Sequence, residues 1–456
     1  MEVEIISNHC IKPSSPTPHH LKTHKLSLLD QLGCQVHFPV LLFYPMNQVT
    51  TELAKINVLS QRSLVLKQSL SETLTRYYPL AGKIKDDRSI DCNDDGAHYV
   101  EARVNCGLLD YLKQPDLSKL PKFLPYENQF SELGGHVVLV QENVFTCGGV
   151  AIGTVVSHRI FDGAAVSRFL ITWSAIARNS SESTTLFPDL NASSFFPQIT
   201  TLPKDLPSMS SVFLRTGRSI TRRFVFDGSA IAHLKHKSSS SSLQNPSRVE
   251  VVSALFVNWM TAACNAKLGM YKPTMITHTV NMRRRATPPF PEGICGNFCC
   301  LAATLVEGEE TGLPSMVRRI REGISRINGD YVKKQQGDGG LDSILEGIEE
   351  MKESFCSGAP GGTGHIGVNS WCNFGLYGVD FGWGKPLWIP YVGLEESKTL
   401  YKNVIVLMDT RQVNGVEAWV RLDEQDMALL EQDKEFLCLV SSDPSPLDMG
   451  YPNSNP

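Results

Sequence analysis

The chain has 456 residues, 42% hydrophobic, 8% aromatic and 20% charged, with a formal net charge of −4. That length exceeds one small core, so two domains or one large one are expected, of soluble globular composition. The mildly acidic balance, with no basic stripe, argues against a nucleic-acid partner; apolar runs such as Val137–Val140 and Val404–Met408 are strand-sized and far short of a membrane span.

The N-terminus, MEVEIISNHCIKPSSPTPHH, has early acidic residues and no apolar h-region, so no secretory signal is read and a cytoplasmic location is expected. Val36–Tyr44 (VHFPVLLFY) reads as a strand, and Leu59–Tyr78 has helical spacing that must end before Pro79. Ile90–Val104 alternates around Asp94-Asp95-Gly96 and predicts a hairpin. Val137–Phe145 and Gly149–Val156 read as strands and Ala164–Arg178 as an apolar-periodic helix, which places His158 at a strand-to-helix junction.

Asn179–Gly217, rich in Ser, Pro and Thr, reads as an irregular crossover between domains. Beyond it, Thr221–Asp227 is expected as a strand, Ser229–Lys237 as a helix, Ser238–Ser242 as a flexible serine run and Arg248–Leu268 as a long helix. Met275–Met282 and Phe298–Val306 read as strands, and Met316–Ile327 as a helix. Leu400–Leu407 and Gly415–Leu422 are the last strands, before a closing helix at Glu424–Leu437. Strands mixed with helices, without strict alternation, predict an α/β class with mixed sheets. No internal repeat is found.

Several patterns lead nowhere. Gly362-Thr-Gly364-His-Ile-Gly367 matches G-x-G-x-x-G but lacks the flanking strand and helix that a dinucleotide loop needs, so it reads as a flexible loop with His365 exposed. No G-x-S-x-G elbow, Walker A motif or H-E-x-x-H zinc signature is present. Cys295, Cys299 and Cys300 are spaced C-x3-C-C, not a usual zinc pattern, and read as reduced core thiols; no metal is expected. His233 and His236 read as a solvated helix face.

His158-Arg-Ile-Phe-Asp162-Gly163 is different in kind when taken with Asp380-Phe-Gly382-Trp383-Gly384-Lys-Pro386, about 220 residues later. Val280-Asn-Met-Arg283, Gly296-Asn297 and Ser247-Arg248-Val-Glu-Val-Val-Ser253 lie between them. In this order and at these separations the chain resembles the plant BAHD acyl-CoA-dependent acyltransferases. The likeness runs from Ile11-Lys-Pro-Ser-Ser-Pro-Thr-Pro18 and Leu29-Asp-Gln31, through Tyr77-Tyr-Pro-Leu-Ala-Gly-Lys83, to Leu407-Met-Asp-Thr-Arg411 and Gly415-Val-Glu-Ala-Trp419. It is strongest toward the branch holding vinorine synthase and the alcohol acyltransferases. Ile294-Cys295-Gly296-Asn297 stands where the anthocyanin-acylating branch carries Tyr-Phe-Gly-Asn, which disfavours pigment acylation.

The resemblance implies two chloramphenicol-acetyltransferase-like domains with mixed sheets, joined by a long crossover loop, with an active-site tunnel between them. Residues 1–200 would carry HxxxD and 221–456 DFGWG, with 201–220 as linker and part of 330–375 packed on the N-terminal domain. It implies an acyl-CoA co-substrate, acetyl-CoA by expectation, and a small-molecule alcohol acceptor, an alkaloid or terpenoid of specialised metabolism. A monomer is expected, with no membrane partner. The alternatives are a volatile-alcohol acyltransferase and a non-catalytic binding protein of the same fold.

Chemistry assigns roles at the matching positions. A neutral imidazole at His158 would act as general base on the acceptor hydroxyl, without an acyl-enzyme. Asp162 sits before Gly163 and the helix, where a carboxylate caps free N–H groups, and by resemblance it pairs with Arg283 rather than orienting the imidazole. Asn369 and Trp371 match positions credited with steadying the oxyanion, although the family carries Thr or Ser where Asn369 stands. Trp383 reads as either tunnel lining or wall packing. Asp380, with Gly382 and Gly384, is expected to hold a loop. Ser247, Arg248 and Ser253 match CoA contacts, and Ser247 equally reads as a helix cap.

Overall fold

The computed structural model describes all residues except 34–35, 47–50, 126–134, 181–186, 201–217, 242, 270–271, 308–311, 338, 357–362, 394–402, 413 and 449–456. The fold is mixed α/β, with three sheets among the described residues, none of them closed into a barrel. The first sheet takes its strands in the spatial order Val3–Ile11, Ala97–Val104, Val138–Phe145, Val150–Ser157, His37–Tyr44. All its pairs are antiparallel except that between Ala97–Val104 and Val138–Phe145. The second runs Cys299–Val306, Thr274–Asn281, Gly364–Ser370, Val404–Asp409, Val416–Asp423, Ser219–Phe226, Ser441–Ser442, with Gly364–Ser370 parallel to both neighbours. A small sheet joins Thr23–Lys25, Ser89–Asp91 and Lys83–Ile84.

Each large sheet draws its strands from one half of the chain, yet the cores are not so divided. Along Val404–Asp409 the side chains alternate as a strand requires. Ile405 and Leu407 face the helical layer with Phe256 and Val257, whereas Val406 and Met408 join the core of the first sheet. The joint is tied through the backbone: Phe43 N–H donates to Trp388 O at 3.1 Å and Leu387 N–H to Phe43 O at 2.7 Å. Trp388 stacks on Phe43 (5.7 Å) and on Trp419 (6.4 Å). Beneath it lies a buried ion pair, Arg223 Nε to Glu417 Oε2 at 3.1 Å, with the guanidinium 5.1 Å from the Trp388 ring. Trp419 Nε1 donates to Glu417 Oε1 at 2.9 Å, so the buried carboxylate has partners from two strands and the crossing segment. Such a charge left single would cost about 3–5 kcal/mol.

Several sequence expectations change. Ile90–Val104 is not a hairpin: Ser89–Asp91 pairs in the small sheet, while Ala97–Val104 lies between Val3–Ile11 and Val138–Phe145. The turn signal at Asp94 is real, with Asp94 and Gly96 at positive φ, but it sends the chain from one sheet to another. The G-x-G-x-x-G stretch is not a flexible loop from Gly364 onward. Gly364–Ser370 is a central strand, and His365 is 5% exposed, its Nε2 at 3.0 Å from Thr277 Oγ1. The absence of a recognisable strand and helix around the glycines suggested a loop, but pairing on both sides makes Gly364–Ser370 itself a strand. The helix expected at Leu59–Tyr78 spans Glu52–Arg76, capped by Thr51.

Of the crossover, 181–186 and 201–217 lie outside the described residues. The part between packs firmly: Asp189 exchanges backbone bonds with Gly293 and Cys295, and Phe196 shares a core with Leu28, Met282 and Phe298. The same core holds Val332, so the segment after residue 330 meets Leu28 and Leu29 of the N-terminal half. Arg248–Lys267 is long and apolar enough to span a membrane by length and composition. Its Val251, Val252, Ala254, Phe256 and Val257 are buried over the second sheet, which explains that composition as a core helix.

Candidate active site

Val150–Ser157 is buried along its whole length and ends at a three-residue turn, followed by the helix Gly163–Ala177. His158 begins that turn, its N–H donating to Val36 O at 2.8 Å, and is half-buried at the edge of both halves. Its Nδ1 lies 2.8 Å from Asn297 Oδ1. Asn297 Nδ2 donates both to Asp30 Oδ1 (2.9 Å) and to the His158 carbonyl (2.8 Å), so the amide oxygen is the group facing the ring. An oxygen there can only accept, so Nδ1 carries a proton, and in the neutral ring the lone pair lies on Nε2.

Asp30 anchors this arrangement. It accepts from Asn297 N (2.8 Å) and Nδ2 through Oδ1, and from Ser27 N (2.9 Å) and Oγ (2.7 Å) through Oδ2. Burial pushes its pKa up, against the pull of those hydrogen bonds. Neither Asn297 nor Asp30 was singled out for catalysis from the sequence, although both lie in stretches that carry the family resemblance. They lie 139 and 128 positions from His158, and nothing local announces the link.

Asp162, four residues after His158, belongs to another network. Its Oδ1 caps the helix by accepting from Ala165 N at 2.9 Å, and its Oδ2 accepts from Phe298 N at 3.0 Å. Arg283 grips both oxygens, Nη1 to Oδ2 at 2.7 Å and Nη2 to Oδ1 at 3.1 Å, and also donates to the carbonyls of Ile294 and Gly296. Burial disfavours the Arg283 charge, but Asp162 outweighs it and leaves its pKa raised. Gly163 has its own reason: a Cβ there would lie 2.7 Å from the Phe374 ring.

The second half reaches the histidine through rings. Trp371, 8% exposed, meets Phe38 edge-on at 5.7 Å, and Phe38 meets His158 at 5.1 Å. Asn369, half-buried, is paired with Val406 and so shares its sheet face, the one turned to the first half. Trp383 is not brought to His158. It packs against Tyr44 and Phe381 at the far end of His37–Tyr44, roughly 20 Å along the strand from Phe38. Asp380 holds its own turn, accepting from Gly382 N (2.8 Å) and Gly384 N (2.9 Å), both at positive φ, where a side chain would be strained.

Of the residues matched to CoA contacts, Ser247 caps Arg248–Leu268 in a capping box with Glu250. Arg248 is engaged with Asp409, with Asn373 Oδ1 (2.7 Å) and with Gly415 O (3.1 Å), pinning the helix start to two loops. Ser253 is fully buried, and its hydroxyl has no partner among the described residues. Among those residues no group of His, Cys, Asp and Glu could hold a metal ion.

His158 is thus tied through Nδ1 to Asn297, on a turn that leads from a strand of the first sheet and meets residues of the second half. The chain belongs to the BAHD acyl-CoA-dependent acyltransferases: the Transferase family model matches residues 1–437, and the protein is an O-acyltransferase. It is 46% identical to epi-neemfruitin B 7-O-acetyltransferase of Melia azedarach, over 98% of this chain and 100% of the relative. It is 44% identical to limonoid 7-O-acetyltransferase of Citrus sinensis, again over 98% and 100%. Among solved structures it matches vinorine synthase with a TM-score of 0.80 at 33% identity, covering 97% of this chain and 99% of that one.

Proposed function

We propose that the enzyme transfers the acetyl group of acetyl-CoA to a hydroxyl of a polycyclic plant metabolite, a limonoid-type terpenoid alcohol. The donor and acceptor classes are supported by the relatives just named, both acetyltransferases. The observation that carries the mechanism is the His158–Asn297 bond, which leaves Nε2 as the proton acceptor.

In this reading the alcohol and the thioester meet in a tunnel between the two halves, at His158. Nε2 takes the hydroxyl proton as the oxygen attacks the thioester carbonyl. The carbonyl oxygen becomes an oxyanion, facing the Asn369 amide and the Trp371 indole. Collapse breaks the C–S bond, and the imidazolium returns its proton to the departing sulfur. Atoms and charge balance without an acyl-enzyme and without a metal. Base catalysis of this kind is worth about 10²–10⁴ in rate. Asp162 acts at one remove, holding the turn that aims His158. Ser247 and Arg248 shape the wall on the CoA side, with Ser253 buried behind it.

Purified protein incubated with acetyl-CoA and a panel of alcohols tests the reading, with products followed by mass spectrometry. Acetyl esters of polycyclic terpenoid alcohols, with thiol released only when such an alcohol is present, are expected. Equal thiol release without any alcohol, or a preference for small volatile alcohols, would contradict it.

A further inference from the structure

Asp162 commits its two oxygens to Ala165, Phe298 and Arg283, and none of these bonds orients the His158 ring. A different carboxylate stands behind the imidazole, one amide away. Nδ1 lies 2.8 Å from Asn297 Oδ1, and Asn297 Nδ2 donates to Asp30 Oδ1 at 2.9 Å. Asp30 is 2% exposed and Asn297 3%, so water does not compete for these bonds.

The amide has two ways to lie, and only one leaves a base. As it stands, its oxygen faces Nδ1 and its NH2 group donates to Asp30 and to the His158 carbonyl. Turned over, it would offer the NH2 group to Nδ1 and move the ring proton to Nε2, the nitrogen that must receive the hydroxyl proton. The flipped oxygen would also meet Asp30 Oδ1 and the His158 carbonyl, acceptor against acceptor. Asp30 Oδ1 cannot adapt to it. Both groups on that oxygen, Asn297 N at 2.8 Å and Nδ2 at 2.9 Å, are N–H donors, so it stays an acceptor whether or not Oδ2 carries a proton. Oδ2 is held by Ser27 N (2.9 Å) and Oγ (2.7 Å), in the capping box of the Leu28–Leu32 helix. That helix is fixed in turn by Gln31, whose amide exchanges two bonds with Ile199, at 3.1 and 2.8 Å. The carboxylate is a fixed reference against which the amide is oriented. We propose that Asp30 is the positioning residue of the base: through Asn297 it holds His158 in the Nδ1–H form, a task that Asp162, turned onto Arg283, does not perform. The assignment rests on the reading of His158 as general base and names what keeps that base in its working form.

Histidine labelled with ¹⁵N in the ring reports the tautomer without any substrate, at about pH 8, where ordinary imidazoles are neutral. His158→Ala identifies the signals. The wild type is expected to show a protonated Nδ1 and a bare Nε2, and Asp30→Asn a mixture of both forms. In steady-state acetyl transfer Asp30→Asn should lower kcat about five- to tenfold, with the KM for acetyl-CoA within about twofold of wild type. Added to Asn297→Ala, the same substitution should cost less than about twofold more, because its route to the ring is already cut. Gln31→Ala loosens the same helix without touching Asn297; it should lower the melting midpoint while kcat stays within about twofold. An unmixed Nδ1–H ring in Asp30→Asn overturns the proposal, as do kcat losses that multiply in the double variant. Should Asp30→Asn fail to fold, Asp30→Ser is read in its place against the same two outcomes. A wild type that gives the expected ring signals, loses them in Asp30→Asn and yet makes no acetyl ester supports the tautomer assignment and contradicts the proposed function.

Discussion

His158 and Asp162 are four residues apart, on one turn, and the structure uses them in opposite ways. The histidine is half-buried and held at Nδ1 by Asn297. The aspartate is 5% exposed and saturated: both oxygens accept from Arg283 and from backbone N–H groups. In the proposed mechanism the first group is completed by the acceptor hydroxyl. The other is closed, so that nothing moves. The HxxxD motif holds two networks, and the Arg283 partner expected for Asp162 comes from 121 residues away.

The contrast makes Asp162 a stability residue first. Asp162→Ala leaves Arg283, a mostly buried cation, without its carboxylate and removes a helix cap. A loss of about 3–5 kcal/mol is expected, read as a drop in the urea midpoint or in soluble yield. A variant with wild-type stability and impaired turnover would merge the two networks again.

A second test sets His158 beside histidines that are sealed. His24 and His278 are buried, and burial alone pushes His24 down to about 4; burial also carries His278 to about 4, partly offset by Glu250. The unfolded chain protonates near pH 6.5 while these folded imidazoles resist until about pH 4, so stability present above 6.5 falls as the pH drops between those values. At pH 5 the loss is on the order of 2 kcal/mol per imidazole. Denaturation midpoints from pH 7 to 5 check this, and His278→Gln is expected to flatten the slope. A midpoint flat across that window would contradict the sealed state of both rings.

The smallest effect concerns the tether. Asn297→Ala removes the acceptor that fixes the His158 tautomer and breaks the link to Asp30. Turnover is expected to fall about tenfold, with the apparent KM for acetyl-CoA little changed. A change in KM alone would place Asn297 in substrate binding instead.

Much of this was legible before the structure. Apolar periodicity gave the strand into His158 and the helix after Asp162, and the cap chemistry of Asp-Gly foretold the bond to Ala165. What sequence could not show was long-range pairing. The Asn297–Asp30 tether depends on three segments meeting, and no local pattern encodes a meeting. Gly364–Ser370 reads as a loop because its flanks show neither strand nor helix, whereas two neighbouring strands supply its order. Trp383 carries a motif position and packs at the Tyr44 end of the first sheet, away from His158, which only strand register reveals.

The division of labour stands or falls on His158→Ala, measured for single-turnover acetyl transfer and for thermal stability on the same preparation. With the base removed and Asp162–Arg283 intact, transfer should fall by at least about 10² while the melting midpoint stays near wild type. Transfer within a few-fold of wild type would show that the His158 imidazole is not the base.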